Sequence, residues 1–579
     1  MSAQVQQPQL TDDQWLQLHR DQLVKQNVPA AVHSIIARKM NHEIFDCSTT
    51  FALQDGTTRV VKATPKHGDA WISDHALVFR APTDAKAALA QYPGLAERFA
   101  TMARCEPEDA LDKAIWRYAQ ALPGARPPVW CVEDEIGNGF MRGSPVAIGT
   151  AHITDRRTGD TFAVYWPEGD LDVGSAPRRD PYPHIKPGLR RDALLSASAD
   201  SSERWRAAYA AFSKPESASA EVPASSNTKP PATTPLKVWT DVAWTSEVTD
   251  PRIEFVEDAS TADAVFAHSG GGKYQVLKHQ LVSWFAYEAA LIKKDHLAAT
   301  LRRAGLAHLA PVTFDLETEL DALLGFLVAS RVEIKFRAPH AIDAMVLAHW
   351  LMSTQAATDA HVILKPYDLG RSIGHSVTKS IPQVLAYAAA GGYVAQRYVE
   401  RPHALPTDSR GRKYDIRVVA LLRSASPLEL YAHDHVYVRC ANKAHSLSNL
   451  DDVEVALTAM HLVEREADYP TTSAFIEAFD KENPSRPWDS VMADVRATLR
   501  KAFAACASLH AGFASSSNSR SAYGCDFMLD ADLKPLLLEV TFAPAPLWSS
   551  ESMPARVDGV ADDIFRTLFF GETARVTRC

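Results

Sequence analysis

At 579 residues, 46% hydrophobic and 23% charged, the chain is too long for one hydrophobic core, and two or three domains are expected. A formal charge of -9 gives no support to general nucleic-acid affinity. With no apolar run near the roughly 20 residues of a membrane span, and with a polar, glutamine-rich start unlike a secretory signal, a cytosolic or nuclear protein is expected. Seven cysteines are scattered without a CxxC pair, which argues for reduced, mostly buried thiols rather than a disulfide framework or zinc ribbon.

Taken in order, Thr11-Asp12-Asp13 reads as the cap of a helix carrying Trp15, Leu16, Leu18 and Leu23. β-like stretches follow at Thr49 to Leu53, Trp71 to Phe79 and Phe162 to Trp166, with a helix opening at Pro107-Glu108-Asp109 and ending near Leu122. Gly137-Asn138-Gly139 reads as a tight turn. Residues 1–212 thus form a mixed, β-rich unit. Between 213 and 236 proline, serine, threonine and alanine replace the periodic pattern, the composition of a linker. Gly270-Gly271-Gly272-Lys273 lacks phosphate-loop spacing and reads as a flexible turn. From 237 to 579 strands and helices alternate in an α+β pattern. His361 to Lys365, Tyr393 to Val399, Ile416 to Leu422 and Leu428 to Arg439 read as strands, with helices near Ile342 to Met352 and Val491 to Leu509.

Charged residues sit at selected places on these strands. Lys365 closes an apolar run, where it suits either a phosphate-handling cleft or an edge strand protected against aggregation. Lys413, Asp415 and Arg417 share one face of a strand by parity, fitting either such a cleft or a solvated charge ladder. Arg439 closes the following strand. His433 and His435 share a strand face as zinc ligands sometimes do, but no third ligand is evident nearby. Near the C-terminus, YGCDFML and LLLEVT flank the polar cluster Asp530 to Lys534, a hairpin pattern. Folding about Asp532 and Leu533 sets Asp526 opposite Glu539, with Thr541 on the same face. Facing carboxylates repel unless a cation lies between them, and hard oxygen ligands with room for phosphates suit Mg²⁺ in a nucleotide-linked site.

Across roughly Lys237 to Phe570 the chain resembles the tubulin-tyrosine ligase-like family of ATP-grasp ligases. The resemblance rests on VWTDVAWTSEVTDPR, LIKKDHLA, VILKPYDLGRSIGHSVTKS, KYDIRVVALLRS, LSNLDDVEVALTAM and DIFRTLFF, met in family order. It implies that Lys294 and Lys365 hold ATP phosphates and that Gln396, Arg397, Tyr398 and Val399 form the hinge that meets adenine. It places Lys413 and Asp415 near the nucleotide, Arg417 and Arg439 near the γ-phosphate and acceptor, and Asp526, Glu539 and Thr541 on Mg²⁺. The implied reaction joins an amino acid, tyrosine or glutamate, to a carboxylate of the tubulin C-terminal tail through an acyl phosphate. Basic surface around Arg397, Arg401, Arg410 and Arg412 would meet the acidic tail. The implied location is cytoplasmic, cytoskeleton-associated or partly nuclear.

Three departures favour the alternative of a non-catalytic, tubulin-binding regulator. Thr541 stands where the family usually has asparagine. The loop PYDLGRSIGHS carries only Gly370 and Gly374, where active relatives have a richer glycine run. Leu457-Thr458-Ala459-Met460 replaces HLTN, which removes one polar contact. The N-terminal unit resembles a SET-like domain at VEDEIGNGFMRG and FAVYWPEGDLDVG, but its Asn41-His42 pair precedes the expected position and lacks the accompanying cysteine. The expectation is therefore a unit without methyl transfer that packs on the ligase unit or recognises a partner.

Overall fold

In the computed structural model the described residues are 10–73, 76–103, 115–197, 202–213, 235–268, 276–329, 357–370, 372–458, 470–542 and 559–579. The anticipated linker, the helix at Ile342 to Met352 and the glycine run at 270–272 lie essentially outside these residues. The chain divides into two compact units, and the division is discontinuous in sequence. The first comprises Met1–Ala208, Leu316–Asp359 and Lys379–Tyr393; the second comprises Tyr209–Asp315, Ala360–Thr378 and Val394–Cys579. The contiguous division at the linker, expected from composition, thus differs from the spatial grouping: two segments of the C-terminal half cluster with the N-terminal unit.

The first unit begins with α1 (Asp12–Lys25), where the Thr11 hydroxyl accepts the Gln14 N–H and the Gln14 side chain accepts the Thr11 N–H. Its buried face (Trp15, His19, Leu23) joins α2 (His33–Asn41) in packing against a mixed sheet. That five-stranded sheet has the order β3-β9-β8-β10-β7, built from β3 (Trp71–Ile72), β7 (Met141–Arg142), β8 (Ile148–Thr154), β9 (Thr161–Pro167) and β10 (Arg178–Arg179). A hairpin of β1 (Phe51–Gln54) and β2 (Thr57–Val60) accompanies it. Three further strands, β4 (Ala76–Phe79), β5 (Gln120–Ala121) and β6 (Trp130–Glu133), form a second sheet. Several boundaries move from the sequence expectation. Residues Cys47–Thr50 are helical, so the expected strand at 49–53 starts at Phe51. The stretch 71–79 is split between two sheets. The helix expected to run to Leu122 gives way to β5, because Gln120 and Ala121 pair with Cys131 and Trp130. The expected Gly-Asn-Gly turn is the end of a one-turn helix, α3 (Glu135–Gly139), capped by the Asp134 carboxylate on the Gly137 N–H.

In the second unit, β11 (Leu236–Thr240), β12 (Ile253–Phe255), β13 (Ala264–Phe266) and β14 (Leu281–Val282) form a parallel sheet of order β12-β11-β13-β14. A second sheet has the order β15-β18-β16-β17, from β15 (Thr313–Asp315), β16 (Ala357–Pro366), β17 (Ser376–Ser380) and β18 (Tyr393–Arg397). The third, antiparallel, has the order β22-β21-β19-β20-β23, from β19 (Tyr414–Ala425), β20 (Leu428–Cys440), β21 (Ser521–Leu529), β22 (Pro535–Phe542) and β23 (Val576–Arg578). Helices α4 (Lys294–Arg303) and α5 (Trp488–Leu509) pack on this sheet.

Strand alternation gives the antiparallel sheet two unlike faces. Ile416, Val418, Ala420, Cys525 and Phe527 bury against Val495, Leu499 and Phe503 of α5. On the opposite face, Val419, Leu421 and Ala522 pack under Val238 and Phe266 of the parallel sheet. Farther along that same face the apolar residues give way to Lys413, Asp415, Arg417, Asp526, Glu539 and Thr541. The hairpin turns where the sequence indicates: the Asp530 carboxylate accepts the N–H groups of Asp532 and Lys534, and Leu533 takes a left-handed φ of 61°.

Candidate functional site

Four neighbouring strands carry the charged face in register. Arg439 of β20 lies opposite Asp415 of β19, Arg417 of β19 opposite Asp526 of β21, and Asp526 opposite Glu539 of β22; Thr541 is opposite Gly524. The predicted juxtaposition of Asp526 and Glu539 is therefore present.

The charges are buried or, at Lys294, Arg417 and Glu539, partly buried, and they are extensively paired. Arg417 grips Asp526 through Nε at 2.5 Å and Nη2 at 2.7 Å. Arg439 reaches Oδ2 of the same carboxylate, the oxygen that Arg417 Nη2 holds, at 2.8 Å, while its Nε donates to Asp415 at 2.6 Å. The Thr458 hydroxyl donates to the second oxygen of Asp415. Lys294 Nζ lies 3.2 Å from Glu539 and donates to the Leu369 carbonyl at 3.3 Å. Lys365 donates to Gln396 Oε1 at 2.7 Å, and Gln396 Nε2 donates to Thr313 at 2.9 Å. Lys413 donates to the Tyr398 hydroxyl at 2.8 Å, and that hydroxyl donates to the Ala456 carbonyl.

This arrangement removes one side of two alternatives left open by the sequence. Lys365 is 6% exposed on a strand flanked by β18 and β17, so it is no edge-strand lysine. Lys413, Asp415, Arg439 and Asp526 are buried as well, so the ladder is not solvated. Periodicity identified the shared face but not what covers it.

Burial and neighbours shape the ionisation of the cluster. Burial lowers Lys365 to about 8 despite the attraction of Glu539, and Lys294 adds to the lowering. Burial likewise lowers Lys413 to about 7, opposed by Asp415. For Glu539 burial acts upward, yet Lys294, Lys365 and Arg417 outweigh it and hold the carboxyl below its ordinary value. Asp415 is raised by burial, with Arg439 opposing and Asp526 reinforcing. Five basic side chains (Lys294, Lys365, Lys413, Arg417, Arg439) thus surround three acidic ones (Asp415, Asp526, Glu539). Bases outnumber acids, and burial disfavours the charge on two of them, an arrangement that a bound anion would balance.

At the hinge stretch Gln396 and Tyr398 are buried, Val399 is partly buried and Arg397 is exposed. The Arg397 N–H donates to the Val312 carbonyl and the Tyr398 N–H to the His361 carbonyl, so both amides are engaged inside the sheet. Beside them, Ile363, Val377, Tyr398, Leu450 and Leu457 form a buried apolar cluster.

The donor set fits a hard cation: two facing carboxylates, plus a Thr541 hydroxyl that donates its proton to the Gly524 carbonyl at 3.2 Å and so presents lone pairs outward. Among the described residues no group of three or more acidic, histidine or cysteine side chains is arranged for a metal, so such an ion would need phosphate oxygens or waters to complete its shell. At His433 and His435, the alternative metal position, His433 pairs with Asp563 at 3.1 Å and His435 lies 3.1 Å from the Thr472 hydroxyl; these are structural contacts. Of the four surface arginines, Arg397, Arg401 and Arg410 are exposed, whereas Arg412 is 4% exposed and bonded to Asp408. Arg412 therefore leaves the basic surface.

Two polar groups escaped the sequence reading. Thr458 sits in the stretch marked as having lost a polar contact, yet its hydroxyl serves Asp415. His375, at the end of the loop after β16, is drawn into the cluster beside Lys365 and Lys294. The only sequence signal for it is its place in GHS after Lys365.

The sequence profile of the tubulin-tyrosine ligase family matches residues 273–575, over half of the chain. The chain is 27% identical to tubulin--tyrosine ligase-like protein 12 of Mus musculus across 98% of its own length and 96% of the relative's, and 27% identical to the Homo sapiens protein of that name across 96% and 93%. It is also 30% identical to the probable tubulin polyglutamylase TTLL9 of Rattus norvegicus, over 28% of this chain and 34% of that one. A mixed α/β protein with a buried, cation-rich charge cluster is thereby placed in a class. The chain belongs to the tubulin-tyrosine ligase family, a family of tubulin-modifying ligases.

Proposed function

We propose that this protein is an ATP-grasp ligase that uses Mg²⁺-ATP to join an amino acid, tyrosine or glutamate, to a carboxylate of the tubulin C-terminal tail. The observation that carries the reading is the excess of basic over acidic side chains around the Asp526–Glu539 pair. Lys294 and Lys365 would hold phosphates, with Lys413 and Asp415 beside the nucleotide. Gln396, Arg397, Tyr398 and Val399 would edge the adenine against the apolar cluster. Asp526, Glu539 and Thr541 would hold Mg²⁺, which when bound supplies charge neutralisation for the phosphate oxygens.

The reaction needs no protein nucleophile. Transfer of the γ-phosphoryl group to the acceptor carboxylate releases ADP and leaves an acyl phosphate. The amine of the second substrate attacks its carbonyl carbon, phosphate departs, and the amine proton passes to solvent. Arg417 and Arg439, now on Asp526, would turn to the phosphoryl and acyl oxygens as negative charge builds there. Exposed Arg397, Arg401 and Arg410 would meet the acidic tail. The N-terminal unit would be a SET-like, non-methylating unit that packs on the ligase unit or recognises a partner, and the protein would be cytoplasmic, cytoskeleton-associated or partly nuclear. Among the described residues no helix is long and apolar enough to cross a membrane.

One observation favours a second reading, a non-catalytic regulator that binds tubulin. Both oxygens of Asp526 are held by guanidinium groups, a self-satisfied arrangement that a metal would have to open. The experiment is incorporation of labelled tyrosine or glutamate into purified tubulin with Mg²⁺-ATP. Incorporation by the wild type and its loss in Glu539→Gln supports ligation. Incorporation that persists in the variant contradicts the metal assignment, and none by a nucleotide-binding wild type favours the regulator.

A further inference from the structure

The loop from β16 to β17 is closed at its far end by His375, whose N–H donates to the Ser372 carbonyl at 3.3 Å, next to Gly374 in a left-handed conformation. At the near end Lys294 donates to the Leu369 carbonyl, tying the loop to the charge cluster. Side-chain Nε2 of His375 is buried and has no hydrogen-bond partner among the described residues. A buried polar atom without a partner is costly unless water or a ligand meets it. Its charged neighbours are Lys365 from β16 and Lys294 from α4, which together with burial hold the imidazole well below its ordinary range, hence neutral. Two ammonium groups beside it would repel a cation and attract an anion. An anion seated between them could also take the imidazole N–H.

We propose that His375 is a polyphosphate-binding residue, donating through Nε2 to a phosphate oxygen held between Lys294 and Lys365. The inference rests on the nucleotide reading of the site and adds a ligand that the lysines, arginines and carboxylates do not supply: a neutral donor on the loop itself.

The test is calorimetric titration of the full chain with a non-hydrolysable ATP analogue, with tripolyphosphate and with adenosine, for the wild type, His375→Ala and His375→Gln. His375→Ala should weaken the analogue and tripolyphosphate by about tenfold to a hundredfold and leave adenosine unchanged, and His375→Gln, which keeps a donor, should recover part of the loss. Equal triphosphate affinity in the wild type and His375→Ala overturns the inference while leaving the nucleotide reading intact. So does an equal loss for adenosine, which would mark a structural residue. A wild type that binds neither phosphate ligand overturns both. Should the alanine variant fail to fold, the ¹⁵N resonance of His375 Nε2 in the wild type decides: it shifts on adding tripolyphosphate if the imidazole donates to it, and stays fixed if it does not.

Discussion

Each unit buries a cluster of charge, and the two differ in balance. In the first unit Glu133, fully buried, accepts from Arg179 at 2.5 Å, His152 at 2.9 Å and the Tyr165 hydroxyl at 3.2 Å. Its pKa falls to about 2 although burial acts upward, chiefly because of Arg179, while His152 rises to about 10 against burial, helped by Cys131 and Glu133. Asp134 lies alongside and Arg142 adds a further positive charge, yet both Glu133 oxygens are engaged from within the unit. In the second unit five bases face three acids, and His375 adds a buried polar atom without a partner among the described residues. A buried cluster satisfied from within holds a fold together; one with more bases than acids and a buried polar atom left over is a candidate for completion by a ligand.

This contrast predicts that equivalent substitutions act on different properties. Arg179→Met strands the Glu133 carboxylate and should cost about 3–5 kcal/mol of stability, read by denaturant unfolding. Lys365→Met removes a surplus cation instead. It should shift stability by about 1 kcal/mol or less, yet weaken binding of a triphosphate by about a hundredfold in calorimetry. If Lys365→Met unfolds the protein while Arg179→Met leaves it stable, the assignment of roles is reversed.

A third buried carboxyl sharpens the point, because Glu288 has hydrogen bonds from the Phe285 N–H and the Tyr523 hydroxyl but no basic partner among the described residues. Burial pushes it up to about 7. Its folded value lies above its unfolded one, so its contribution is intact at acid pH and falls away as pH rises from about 4.5 to 7, by up to about 3 kcal/mol. Glu288→Gln should flatten that part of the stability profile; an unchanged profile would show that Glu288 does not carry it. The smallest effect is expected from Thr541→Asn, which restores the usual family residue and should tighten Mg²⁺-dependent nucleotide binding by about threefold, a fraction of a hydrogen bond's worth.

The sequence was most informative where chemistry is local. The Thr11 cap and the hairpin that sets Asp526 against Glu539 follow from short-range pattern, and both are present. So is the shared face of Lys413, Asp415 and Arg417, which needs only strand parity. Pairings between distant segments were not readable. Nothing in the order of residues says that Arg439 bridges Asp415 and Asp526, that Lys294 meets Glu539, or that the face carrying Lys365 is covered. The discontinuous first unit escaped for the same reason: Tyr387 packs on Trp130, with ring centroids 4.8 Å apart, through tertiary contacts that local composition does not encode.

The most direct test of the completing-ligand account is calorimetric titration of the full chain with ATP, with and without Mg²⁺, beside Lys365→Ala and Glu539→Gln. The account predicts binding that strengthens with Mg²⁺ in the wild type and is lost in Lys365→Ala, with the magnesium dependence gone in Glu539→Gln. A wild type that releases no heat with either form, or variants that bind as it does, would contradict it.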